Sequence, residues 1–286
     1  MRFLRKLLLG KEGEERLRDL ERQGRRMERR VRSLMRLGLQ AHFGRCGLHA
    51  PGFDPFRLSL HSQDREDGML IRTFSEIGVS RHSFVEIGIQ DGLECNSACL
   101  ALGFGWRGVM VEGDPEYAAR ARKNYAGVEG VTIHQAFVTR ENVQAVLDRA
   151  GADRDCDLFS LDIDGNDYWV WEALDAWSPR VAVAEYNRWF GFDRAVTIPY
   201  DAAFRHRRKT PRGYAGASLP AFVKLAARRQ YVLTGVCGYN AVFVRRSELK
   251  GGVREVSIQE AAASLPPDAR TERVQKAIRG LPLVEV

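Results

Sequence analysis

Between residues 84 and 245 short apolar runs alternate with stretches whose apolar positions recur at helical spacing. The first run holds Phe84, Val85, Ile87 and Ile89 around an acidic Glu86; after Gly88, Asp91 and Gly92 the chain changes to LECNSACLAL, which has helical spacing. A second run, Val109 to Val111, ends in Glu112, Gly113 and Asp114 and leads into a helical Pro115 to Tyr125. VTIHQAF (Val131 to Phe137) reads as a third strand, followed by a helix over 139–151. Leu158 to Ile163 reads as a fourth strand, and Val181 to Ala184, followed by Glu185, Tyr186 and Asn187, as a fifth. GASLPAFVKLAARRQ is amphipathic, and YVLTGV with NAVFVRR predicts a hairpin that completes the sheet. Strands alternating with helices predict an α/β fold with a doubly wound, mostly parallel sheet.

The flanks divide the chain further. Residues 1–45 carry 14 Lys/Arg against 6 Asp/Glu in a chain of net charge +7, so the arm holds the basicity and the rest is near neutral. Within 11–40, Leu17, Leu20, Met27, Val31 and Leu34 fall close to a heptad, with Gly24 at an apolar position. This predicts a helical hairpin, a coiled coil joining two copies into a homo-oligomer, or an arm laid on the body. Residues 46–80 read as a linker and a leading helix over 64–79, residues 81–250 as the main domain, and 251–286 as a helical tail broken at Pro266-Pro267 and packed on the outside. Residues 188–215 form a long, aromatic-rich insert, expected to be a lid. A near-neutral body argues against nucleic acid as a partner, while weak membrane-surface contact through the arm's arginines stays open. No apolar run approaches the roughly 18 residues that span a bilayer. The start lacks a signal-peptide pattern, and the five cysteines are odd in number without metal-finger spacing. A cytoplasmic protein is expected, with the inner membrane face as a peripheral location.

In an open α/β sheet ligands bind beyond the carboxyl ends of the strands. Glu86, Glu112, Asp162, Asp164, Glu185 and Asn187 all fall at or near those ends. Gly88 suits a tight turn, Gly92 a close approach of ligand to backbone. An acid at the end of strand two, as Glu112 is, suits the two hydroxyls of a ribose, and Phe137 could cover an adenine. The spacing is not GxGxxG, which disfavours a dinucleotide. E-x-G-x-x-x-G instead resembles motif I of the S-adenosylmethionine-dependent methyltransferases.

With FVEIGIQDGLECNS, GWRGVMVEGDP, LFSLDIDGNDYWVWEAL, VAVAEYN, RAVTIPYD, GASLPAFVKLA and YNAVFVRR in this order, residues 83–246 resemble the FkbM-like S-adenosylmethionine-dependent methyltransferases. The resemblance implies a Rossmann-like class I methyltransferase fold and methyl transfer to an oxygen of a sugar, glycan or secondary metabolite. The resemblance implies cofactor contacts at Glu86, Gly88, Gly92 and Glu112, and the candidate cofactor set read from the positions adds Gln90, Asp91, Asn96, Asp114, Phe137 and Asp162. Where that family commonly has D-x-E-G after strand four, this chain has Asp162-Ile163-Asp164-Gly165, whose shorter second acid alters its reach. Asp164 is the candidate base for the hydroxyl proton. Asp162, Glu185 and Asn187 are hard oxygen donors from neighbouring strand ends and form a candidate Mg2+ set. The alternative to an enzyme is a methyltransferase-like fold that has lost catalysis and serves as a binding or assembly module.

Overall fold

The computed structural model describes residues 59–206 and 210–286 and, of the N-terminal arm, helical positions scattered between Gly13 and Leu34. Residues 46–58 of the expected linker and most of the arm, including Val31, lie outside the described residues, as do Arg207, Arg208 and Lys209 of the insert. The arm lies against the body at the loop after the first strand. Arg26 pairs with Asp91 (3.5 Å) and Glu94 (3.2 Å), and Arg30 donates to the Leu93 carbonyl (3.4 Å). Leu20, Met27 and Leu34 are exposed.

Helix α1 (Glu66–Ile77) leads into β1 (Ser83–Ile87), α2 (Ala98–Phe104), β2 (Arg107–Glu112), α3 (Pro115–Asn124), β3 (Val131–Gln135), α4 (Val143–Arg149), β4 (Leu158–Leu161), α5 (Asp167–Glu172) and β5 (Val181–Glu185). The chain then runs through β6 (Val196–Thr197), α6 (Leu219–Arg228), β7 (Tyr231–Cys237), β8 (Asn240–Arg245), α7 (Ile258–Ala263), α8 (Thr271–Ile278) and β9 (Val284–Glu285). The central sheet has the order β3-β2-β1-β4-β5-β8-β7. β1 to β5 are mutually parallel, while β8 is antiparallel to both β5 and β7. This is the expected doubly wound, mostly parallel, Rossmann-like sheet. Strands β1, β4 and β5 are buried on both faces, which explains why their sequences are continuous apolar runs rather than alternating ones.

Two apolar layers cover the sheet. One gathers α1, α2 and α3 through Leu70, Phe74, Leu100 and Ala121; the other gathers α4, α5 and α6 through Leu147, Trp171 and Phe222. After β1 the chain turns to β2 and β3 on one side; β4 and β5 lie on the other. The carboxyl ends of β1 and β4 therefore form the topological switch point, where such sheets open a crevice.

Two expectations are corrected. The helix after Gly92 begins only at Ala98, because residues 91–97 form turns. The tail is not a purely helical outer layer: β9 pairs antiparallel with β6 of the insert, and Asp268 and Arg270 reach cavities at the top of the sheet. Among the described residues no helix is long and apolar enough to cross a membrane.

Candidate active site

At the β1 exit, Gly88 has φ +88°, and a Cβ there would lie 1.6 Å from the Asp162 carbonyl oxygen, so the first loop and the end of β4 cross in contact. The two glycines differ from expectation in what approaches them. A Cβ on Gly92 (φ +74°) would fall 2.8 Å from the Tyr125 ring, whose hydroxyl donates to the Gly92 carbonyl (2.8 Å). The space freed at Gly92 is therefore filled by the protein and not by a ligand, which corrects that reading.

Glu86 is 1% exposed and its carboxylate is saturated by protein. Oε1 accepts from the Asn96 amide (2.9 Å) and the Ser160 hydroxyl (3.1 Å), and Oε2 from the amide (2.8 Å) and hydroxyl (2.5 Å) of Ser97. Asn96 donates its Nδ2 to Ser160 (3.0 Å). The amides of Asn96 and Ser97, in the turn just before α2, thus point at Glu86, and Glu86 and Asn96 hold the loop in place.

At the β2 exit, Glu112 accepts from the Gln90 amide through Oε2 (2.7 Å) and from the Asp114 amide through Oε1 (2.8 Å). Burial raises its pKa, opposed by these amides, and each oxygen keeps a second lone pair. Gln90 sits at φ +52°, a left-handed conformation that a bulky residue holds only under constraint, and its amide is fixed on Glu112. Asp114 caps α3, accepting from the Glu116 (2.8 Å) and Tyr117 (3.1 Å) amides. Asp91 accepts from the Leu93 amide (3.1 Å) besides meeting Arg26. Phe137 packs against Gly113, and its ring is covered by the Arg205 guanidinium, 3.0 Å from the ring centroid.

At the β4 and β5 exits three carboxylates converge. Asp162, Asp164 and Glu185 each place an oxygen within 4.8 Å of the others. Asp167, fully buried at the start of α5, bonds the amides of Ile163 (2.8 Å) and Gly165 (2.9 Å) and so closes the turn that carries Asp164 at φ +56°. Burial and the negative charges of Asp167 and Asp164 push the Asp162 carboxyl well up. Burial and the charges of Asp162, Asp167 and Asp164 do the same for Glu185. The two carboxyls lie side by side, so a negative charge on either disfavours one on the other. Burial also raises Asp167, to about 6.

Asn187, expected beside these as a metal ligand, is engaged elsewhere. Its Nδ2 donates to the carbonyls of Gly213 (2.7 Å) and Ala215 (2.8 Å), and its Oδ1 accepts from the Trp189 amide (3.0 Å). The residue fastens the two ends of the insert to each other, and the third oxygen donor of the cluster is Asp164 instead. The donor set, three carboxylates without a charge-balancing cation between them, fits a hard divalent ion such as Mg2+.

Two cavities flank this cluster. A pocket of about 20 Å3, room for one water-sized group, lies between the first loop and the start of α1, lined by Glu66, Gly88, Gln90, Asp162 and Asn240. Asn240 donates to Glu66 (2.9 Å), but its buried Oδ1 has no partner among the described residues. A larger cavity of about 290 Å3 opens under the insert, with Asp164 and Glu185 on one side and Trp189, His206, Arg212 and Tyr239 around them. His206 Nδ1 lies 3.8 Å from Asp164. The insert lines this cavity and is joined to the tail through the β6-β9 pair.

Sequence reasoning missed Glu66, Asn240, Arg212 and Arg270. Of these only Asn240 carried a usable signal: it opens β8, and the antiparallel register puts it directly opposite Glu185.

No protein-family model and no curated protein matches the chain. Solved structures similar to it include the O-methyltransferase TomG from Streptomyces achromogenes in complex with SAM, at 20% identity, 66% of this chain, 83% of that one and a TM-score of 0.40. They also include the N-terminal domain of EvdMO1 with SAH bound (15%, 65% and 82%, TM-score 0.42). A third is an S-adenosylmethionine-dependent methyltransferase from Clostridium acetobutylicum (11%, 62% and 89%, TM-score 0.41). At such identities and scores none of these decides an activity, and the fold rests on the strand order.

Proposed function

We propose that the chain is an S-adenosylmethionine-dependent O-methyltransferase of the FkbM-like kind, acting on a hydroxyl of a sugar, glycan or secondary metabolite. The observation that carries the reading is the grouping at one switch point of an anchored acid at the end of β2 and a three-carboxylate cluster at the ends of β4 and β5, under a fastened lid. Glu112 has free lone pairs for the hydroxyls of a ribose and is held for that role by the Gln90 and Asp114 amides. Glu86 and Asn96 support the loop from beneath. When bound, S-adenosylmethionine supplies an electrophilic methyl on a sulfonium, which leaves as a neutral thioether once the methyl has moved to oxygen. Asp164, exposed and facing the larger cavity, accepts the hydroxyl proton. The lid excludes water from the exchange.

A second reading of the proton step uses a metal. Asp162, Asp164 and Glu185 would hold a Mg2+ ion, which would lower the pKa of a bound hydroxyl.

The test is calorimetric titration with S-adenosylhomocysteine, with and without Mg2+. The wild type is expected to bind, and Glu112→Ala to bind about tenfold or more weakly, a loss of roughly 1.4 kcal/mol or more. Absence of binding to the wild type in either condition overturns the enzyme reading in favour of a binding or assembly module.

A further inference from the structure

The larger cavity has two poles. Asp164 and Glu185 form an acidic floor, while Arg212, Arg270 and His206 bring basic groups to the same space of about 290 Å3. We propose that this cavity takes an acceptor carrying an anionic group, a phosphate or a carboxylate, which Arg212 and Arg270 hold while a hydroxyl of the same molecule faces Asp164. The proposal rests on the methyl-transfer reading of this site and names its substrate class.

Arg212 is the first ground. It lines the cavity, yet its side chain makes no hydrogen bond or ion pair with any described residue, although two carboxylates line the same space. Its backbone is fixed from the next residue. Gly213 sits at φ +86°, a Cβ there would lie 2.3 Å from Val274 and 2.9 Å from the Trp189 ring, and its carbonyl accepts from Asn187. A guanidinium held over a cavity without an internal partner is a donor set awaiting an acceptor, and its planar fork matches carboxylate and phosphate oxygens two at a time.

Arg270 is the second. Asp268 holds its Nε (2.9 Å) and Nη2 (3.0 Å), Nη2 also donates to the Tyr239 hydroxyl (2.5 Å), and the guanidinium lies 5.6 Å from the Trp189 ring centroid. These contacts orient the fork and leave Nη1 without a partner among the described residues. The side chain comes from the tail, so the tail would supply part of the recognition.

Shape sets the size. Ligand cavities span about 300–1,000 Å3, and this one lies at the small end, suited to one ring with a charged substituent. Trp189 and Tyr239, with centroids 5.5 Å apart, give that ring an aromatic wall. Tyr239 and Arg270 also border an adjoining cavity of about 410 Å3, lined by Arg65 and Arg188 as well as Asp64 and Asp268, so a longer substituent on the anion has room outward. An anionic sugar, either a sugar phosphate or a uronic acid, meets these conditions.

Ligand-observed NMR titration of the full chain, with and without S-adenosylhomocysteine, tests this with four probes: glucose, glucuronate, glucose 1-phosphate and inorganic phosphate. Glucuronate or glucose 1-phosphate is expected to bind at least about tenfold more tightly than glucose, with affinity falling as salt rises. Whichever of the two leads identifies the anion as carboxylate or phosphate. Arg212→Gln should remove the preference and Arg212→Lys should restore part of it; a thermal melt establishes that each variant is folded. Equal binding of glucose, unchanged anion affinity in Arg212→Gln, no binding of either sugar anion, or binding of inorganic phosphate alone would each overturn the proposal. A chain that does not bind S-adenosylhomocysteine but still prefers the anionic sugars would sink the methyl-transfer reading alone.

Discussion

Acidic residues at the strand ends look alike in sequence and differ in their neighbours. Glu86 faces four donors and carries the loop, Glu112 faces two amides and keeps lone pairs, and Glu185 faces other carboxylates that push its pKa up. The positions were legible because each follows an apolar run. The roles were not, since they depend on which amides the turns at 88–97 and 162–167 present. The carboxylate cluster is a stability liability retained at the site. A carboxyl whose folded pKa is raised adds stability below its ordinary pKa and loses that contribution as pH rises through the raised value. Thermal melts should therefore show a melting temperature that falls as pH rises from the ordinary 3.8 of Asp167 through its raised value of about 6, with Asp162 and Glu185 acting in the same direction. Glu185→Gln, which removes one member of the pair, should flatten that slope and raise the melting temperature by a few degrees at neutral pH; an unchanged or steeper slope would contradict the account.

At the scale of elements, β1 to β5 and the β7-β8 hairpin were readable from apolar runs, and helix ends were less so. α2 starts later than its apolar spacing suggests, because residues 95–97 turn to reach Glu86. The β6-β9 pair carries no pattern of its own, since each strand has two residues and their partners are far apart in sequence. The opposite end of the sheet is closed by Arg180, 8% exposed, which pairs with Asp157 (2.8 Å) and Glu248 (2.7 Å) and donates to the carbonyls of Ile77 (3.1 Å) and Gly78 (2.8 Å). Arg180→Ala would leave Asp157 fully buried without its cation, at a cost of about 3–5 kcal/mol. Urea unfolding should show an earlier midpoint with an unchanged slope. Burial pushes Asp157 up, but hydrogen bonds from Arg180 and the Arg81 and Ser80 amides outweigh it, and the carboxyl ends below its ordinary value. Glu248 is lowered mainly by Arg180. This network therefore stabilises the fold at neutral pH and is lost as pH falls beneath the ordinary values of 3.8 and 4.5.

Across the whole molecule, the tail returns from the hairpin to fasten the lid. Tyr214 donates to the Pro282 carbonyl (2.6 Å), Arg194 pairs with Glu285 (2.8 Å), the Val286 amide donates to Ala195 (3.0 Å), and Lys224 donates to the Val286 carbonyl (2.6 Å). Removing residues 282–286 should speed proteolysis within 188–215 and abolish turnover, while S-adenosylhomocysteine binding stays within about twofold, well under 1 kcal/mol. Loss of cofactor binding together with turnover would show that the tail supports the sheet rather than the lid.

That fastening also sets an order of events during synthesis. Chains are made from the N-terminus, and domains condense as their segments emerge. All seven strands of the central sheet are present once residue 245 is out, but the partner of β6 arrives only with residues 284–286. A nascent chain can thus assemble the crevice at the switch point before the strand that pairs with the insert has been made.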